Sequence, residues 1–88
     1  MDIQIVKNII IKTANQVEYE NEKFQRYTKR PKYNTINRNT FDTFLEQEGI
    51  ANIFEAVHYL QSNGYIQNTS GSNGGCVNLK KKAYDLIK

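Results

Sequence analysis

The chain predicts an α+β domain in which three bundled helices support a two-stranded β-hairpin and a short last helix closes the end. Three observations carry this. Apolar residues recur at spacings of three and four near the start of the chain and again between Ile50 and Leu60. Asn63-Gly64 stops the second run, because glycine takes the left-handed conformation that closes a helix, and Tyr65-Ile66 begins something extended. A polar, glycine-rich stretch from Asn68 to Gly75 then separates two short strand-like runs. With 88 residues there is one domain, spanning residues 1–88. A chain of this size buries roughly 60% of its unfolded surface, so it holds one modest core.

The first helix opens at Asp2, whose carboxylate suits the positive end of a helix. Ile3, Val6, Ile10, Ala14 and Val17 share a face, flanked by Ile9 and Thr13, while Ile5 and Ile11 point elsewhere, toward other elements or a second copy. Its end has two readings. Phe24 and Tyr27 keep the phase of Val17, and Glu22 and Arg26 are a favourable pair at spacing four, so the helix can run to about Tyr27. Alternatively a short helix gives way to a structured loop, since Glu18 to Glu22 is locally weak and Pro31 bars any longer run.

Lys32 to Ile36 suits a short extended piece. A second helix is expected from Asn39 or Thr40, with Asn39 and Asp42 resembling a capping box, and Phe41, Phe44 and Leu45 as its apolar face. Glu46, Gln47 and Glu48 are expected to be exposed, and Gly49 ends the helix. After a very short turn comes the third helix, with Ile50, Ile53, Phe54, Val57 and Leu60 on its buried side. Tyr65-Ile66-Gln67 and Cys76 to Leu79 read as the hairpin strands, which need the helices to lean on. Lys80-Lys81-Lys82 opens the last helix, with Ala83, Leu86 and Ile87 as its contacts.

Several function classes find no support. A single cysteine makes no internal disulfide, and one His with one Cys makes no all-protein zinc site. Cys76 is expected as a small buried hydrophobe. A chain without disulfides fits a reducing compartment, and no stretch approaches the ~20 apolar residues of a membrane span. Asp2 follows Met1 directly and Ile9-Ile10-Ile11 is too short for a secretory leader, so the expected location is cytoplasmic. His58 stands alone at the edge of the buried face, and Glu46, Glu48 and Glu55 lack a catalytic partner. The glycine-rich stretch lacks the Gly-Lys-Ser/Thr ending of a nucleotide-binding loop. The chain reads as no enzyme and as needing no metal or cofactor.

Charge is distributed unevenly. From Lys23 to Arg38 lie six cations (Lys23, Arg26, Lys29, Arg30, Lys32, Arg38) and no acid, whereas the other six cations share the chain with all nine acids. Such a belt attracts phosphate beyond what the net charge of +3 suggests, or it is a solvated loop kept soluble by charge.

The run Ala56-Val57-His58-Tyr59-Leu60-Gln61-Ser62-Asn63-Gly64-Tyr65-Ile66 resembles the helix-to-strand junction of the winged helix-turn-helix family, with its Leu, three residues and Gly-aromatic-Ile. Val77 to Ile87 is similar to the family's return strand and final helix, although Lys80 stands where Thr is usual and Ala83 where Gly is usual. The likeness covers about half the chain. It looks closest to small YjcQ-type proteins of low-GC bacteria and their phages, from which the length between the first two helices, Glu18 to Arg38, departs.

The resemblance implies a small transcriptional regulator of phage or mobile-element type. Its third helix would enter the major groove of double-stranded DNA and its hairpin tip would reach a neighbouring groove or phosphates. The outward side of that helix is expected to present Ala51, Asn52, Glu55, Tyr59, Ser62 and Asn63. Asn52 suits adenine, Glu55 the cytosine amino group, and Tyr59 a phosphate. The hairpin offers Asn68, Thr69, Ser70, Ser72 and Asn73. Cations come from the belt, with Lys80 to Lys82 as further candidates. The alternative is a protein-binding module, an inhibitor or adaptor of a host protein, anchored by tyrosines near the belt: Tyr19, Tyr27 and Tyr33. A homodimer built on the first helix is a third arrangement.

Overall fold

The computed structural model describes residues 1–25, 34–69 and 75–88, with the backbone alone for Phe24 and Gln25. Element order is α1 (Ile3–Gln25), β1 (Thr35–Asn37), α2 (Arg38–Gln47), α3 (Ile53–Ser62), β2 (Ile66–Thr69), β3 (Cys76–Leu79) and α4 (Lys81–Leu86). Among the described residues the fold is α+β, with four helices and a small antiparallel sheet.

The first helix takes the longer of its two readings as far as Gln25, a length of 23 residues or about 34 Å. Asp2 starts it, accepting the Gln4 amide on Oδ1 at 2.7 Å. Val6, Ile9, Ile10, Thr13 and Val17 are buried. Thr13 satisfies its hydroxyl inside the helix by donating to the Ile9 carbonyl at 2.8 Å, which makes burial of a polar group tolerable. Ile3, expected on this face, sits one turn before the core and stays 58% exposed.

The sheet corrects the two-stranded hairpin expected from the sequence. It has three strands in the order β1-β3-β2. The hairpin itself forms as expected, with Ile66 opposite Leu79 and Thr69 opposite Cys76. The extended piece before α2 then pairs with the free edge of β3, placing Thr35 opposite Asn78 and Asn37 opposite Cys76. The reason is burial: Ile36 is fully inside, and its neighbours' backbone groups must be paired once there. The Thr35 hydroxyl also donates to Asn78 Oδ1 across this edge.

Inward alternation along β3 buries Val77 and Leu79 and turns Cys76 outward, so the thiol is exposed rather than buried. The second helix begins two residues earlier than its expected cap at Asn39 implies. Asn37, not Asn39, is its N-cap, accepting the Asn39 amide at 2.8 Å. Asp42 is instead claimed by Arg38, whose Nε lies 2.8 Å from Oδ1. Glu48 is half-buried, with Lys12 Nζ at 3.9 Å from its carboxylate and donating to Gln47 at 3.2 Å, which ties α1 to the end of α2.

Helices α2 and α3 end identically. Gly49 and Gly64 have φ of 77° and 80°, respectively. In α2 the Gly49 amide bonds to Glu46 O and the Ile50 amide to Leu45 O; in α3 Gly64 bonds to Gln61 O and Tyr65 to Leu60 O. This is the Schellman closure, in which apolar residues before and after the glycine enter the core together.

Candidate nucleic-acid interface

The buried stripe of α3 is Ala56, Val57 and Leu60, with Ile53 packed against the same cluster. Position 54 turns about 100° away from position 53. Phe54, expected inside, is therefore 79% exposed, and Ala56 takes its place in the core. The outward surface of α3 is consequently Phe54, Glu55, His58, Gln61 and Ser62. No other described element covers it.

Two depressions flank this surface. On one side Asn52, Glu55 and Tyr59 come together, with Met1, Ile50 and Ala56, around an open hollow of about 310 Å³. All three are residues expected from the sequence to meet DNA. Asn52 is the N-cap of α3, and its Oδ1 accepts the Glu55 amide at 3.0 Å, so that oxygen already holds the helix start. Glu55 is exposed in the first turn, where the helix dipole favours an acid. Tyr59 is half-buried and packs against the core.

On the other side Arg38, Phe54, Val57, His58, Gln61 and Asn68 line a groove of about 200 Å³ where the starts of α2 and α3 meet β2. The Asn68 amide donates to Gln61 Oε1 at 3.2 Å, pinning the glutamine side chain between helix and strand. Ser62 Oγ and His58 Nε2 lie 3.4 Å apart on the exposed face. Thr69 is exposed on β2 and donates its hydroxyl to the Cys76 carbonyl at 3.3 Å. Of the belt, Lys23 is exposed near the end of α1 and Arg38 opens α2 in its pair with Asp42.

Ser70, Ser72 and Asn73, the cations Arg26, Lys29, Arg30 and Lys32, and the tyrosines Tyr27 and Tyr33 lie outside the described residues. The structure thus brings Asn52, Glu55 and Tyr59 to one side of α3, and Arg38 and Asn68 to the other. Sequence reasoning missed Phe54, His58 and Gln61 on this face. Their signal was the phase of the buried stripe: taking Ala56 as a core residue rotates the outward side onto 54, 58 and 61.

Elsewhere, burial pushes the Tyr84 phenol on α4 above its ordinary range. Among the described residues no three His, Cys, Asp or Glu side chains gather as a metal site, and no helix is long and apolar enough to cross a membrane. Comparison with protein-family models, curated proteins and solved structures finds no match to this chain.

Proposed function

We infer that this protein binds double-stranded DNA sequence-selectively as a small winged-helix transcriptional regulator of phage or mobile-element type. The observation that carries the reading is the uncovered outer face of α3. It follows α2 after a short turn and is flanked by Arg38 and by β2 of the hairpin. The order helix, strand, two helices and hairpin agrees with a winged-helix layout. In this reading α3 lies in the major groove, its side chains meet base edges, and the cations between Lys23 and Arg38 hold phosphates. Such a division of labour suits a helix face with no Lys or Arg of its own: the belt supplies affinity and the helix supplies selection.

The test is a gel shift with a mixed-sequence duplex across a salt series. Binding is expected at low salt and falls steeply as salt rises. Replacing Arg26, Lys29 and Arg30 by Ala is expected to flatten the log–log slope by about 0.9 for each phosphate no longer neutralised. Absence of any shift at low salt would end this reading. A second reading, a module that captures a host protein without binding DNA, is favoured by the exposed aromatic ring of Tyr19 near the belt. Its signature is partner capture that Tyr27→Ala and Tyr33→Ala abolish while the thermal melt stays near wild type.

A further inference from the structure

Phe54 is the most exposed large apolar side chain among the described residues, and no fold requirement explains it. Burying a ring of this size removes a large apolar surface from water, so leaving it exposed forgoes a sizeable contribution in a domain with one small core. Its neighbours show what suits it. Phe54 shares the lining of its groove with the polar Arg38, His58, Gln61 and Asn68 and with one apolar residue, Val57, which is itself buried, while Glu55 follows it in the first turn of α3. A protein-binding hot spot is built as a contiguous apolar core with a polar rim. Here a single ring is set among hydrogen-bonding groups, which matches the alternation of polar edge and methyl group along the major groove. Its place in the chain agrees, because the first turn of a recognition helix is the part that meets base edges. The cation at the rim and the basic belt complement a polyanion.

We propose that Phe54 reads thymine, packing its ring on the 5-methyl group in the major groove and making the protein select thymine-containing sites. The proposal rests on the DNA-binding reading above. Gln61 supports the ring's position indirectly: its Oε1 is held by the Asn68 amide, so it fixes the groove wall, and its Nε2, not used in that bond, is a donor for a base acceptor such as thymine O4.

The test uses the whole chain with two duplexes of identical mixed sequence, one carrying thymine and one carrying uracil throughout, which differ only by the methyl groups. Wild type is expected to prefer thymine by about fourfold per methyl contacted, the ratio one buried methyl-sized group confers. Phe54→Ala is expected to bind both duplexes equally, with a thermal melt near wild type because the ring is exposed. Equal binding of both duplexes by wild type would overturn the proposal while leaving DNA binding intact. An unchanged thymine preference in Phe54→Ala would overturn it too, assigning the methyl contact to another residue. No binding of either duplex at low salt removes the DNA reading itself. A dimer in sedimentation that Phe54→Ala dissolves would give the ring to a second copy and likewise overturn the proposal.

Discussion

Lys82, in the last helix, donates its ammonium to the carbonyl of Asn63, the C-cap of α3, at 2.6 Å, and lies 4.6 Å from the centre of the Tyr65 ring. One cation thus serves the negative end of α3 and the face of the aromatic residue that follows its closing glycine. Lys82→Ala is expected to lower stability by about 1 kcal/mol, since the site is exposed to solvent and salt. In a domain of this size that moves the melting temperature down by roughly 4–8 °C. A wild-type melt for this variant would show that the contact contributes nothing.

The two helix-closing glycines make a matched pair. At Gly49 an added Cβ meets nothing within 4 Å, and at Gly64 it meets only Lys82 Cδ at 3.7 Å, an ordinary contact. Gly49→Ala and Gly64→Ala are therefore expected to cost the backbone strain alone, about 1–2 kcal/mol each, in chemical denaturation. A much larger loss at Gly64 would mean that the substitution also displaces Lys82.

Phe41 and Phe54 should behave oppositely. Phe41 is fully buried in α2, and Phe41→Ala is expected to lose about 3–5 kcal/mol, enough to unfold a marginal domain. Phe54→Ala is expected to stay within about 0.5 kcal/mol of wild type. The pair of melts checks the phase of α3 independently of any ligand.

Two acids lie at the face proposed to bind DNA, and on that proposal removing either should strengthen binding in a different way. Asp42 holds Arg38 through a partly exposed pair. Asp42→Asn is expected to free that cation and steepen the salt slope by about 0.9, if Arg38 then reaches a phosphate. Glu55→Gln removes a negative charge from the helix face, and is expected to tighten binding to arbitrary sequence while narrowing the gap between good and poor sites. Competition titrations at fixed salt separate the two effects.

Cys76 faces outward from the centre of the sheet. A thiol-specific reagent is expected to modify it in the folded protein at a rate near that of an unfolded control. Protection until global unfolding would place it inside.

How far the sequence disclosed this structure depends on how local each determinant is. Gly49 and Gly64 were legible because a left-handed closure is decided by one residue. The hairpin was legible from Val77 and Leu79 alternating against Ile66. The short extended piece before α2 was also legible, but its pairing was not: Thr35 to Asn37 supplies too few residues to show which partner it seeks, and that partner is some forty positions away. The α2 cap was missed because Asn37 and Asn39 are equally good cap chemistry two residues apart, and only the pairing of β1 decides where the strand stops. Phe54 and Cys76 share one cause. Hydrophobicity assigned each to the core, whereas the phase of its neighbours, Ala56 and Val77, turns it out. The outer face of α3 was thus read with Glu55 and Ser62 correctly outward, but with its centre displaced toward Tyr59.

The strand order carries a consequence for synthesis. Because β3 is the middle of the sheet yet follows both of its neighbours in the chain, neither Thr35–Asn37 nor Ile66–Thr69 has a mate until residue 79 has left the ribosome. Helical segments can form during translation, but the sheet closes in one late event that draws α1, α2 and α3 into place together. A released chain truncated before Cys76 would display Ile36 and Ile66 to chaperones and proteases rather than a half-built domain.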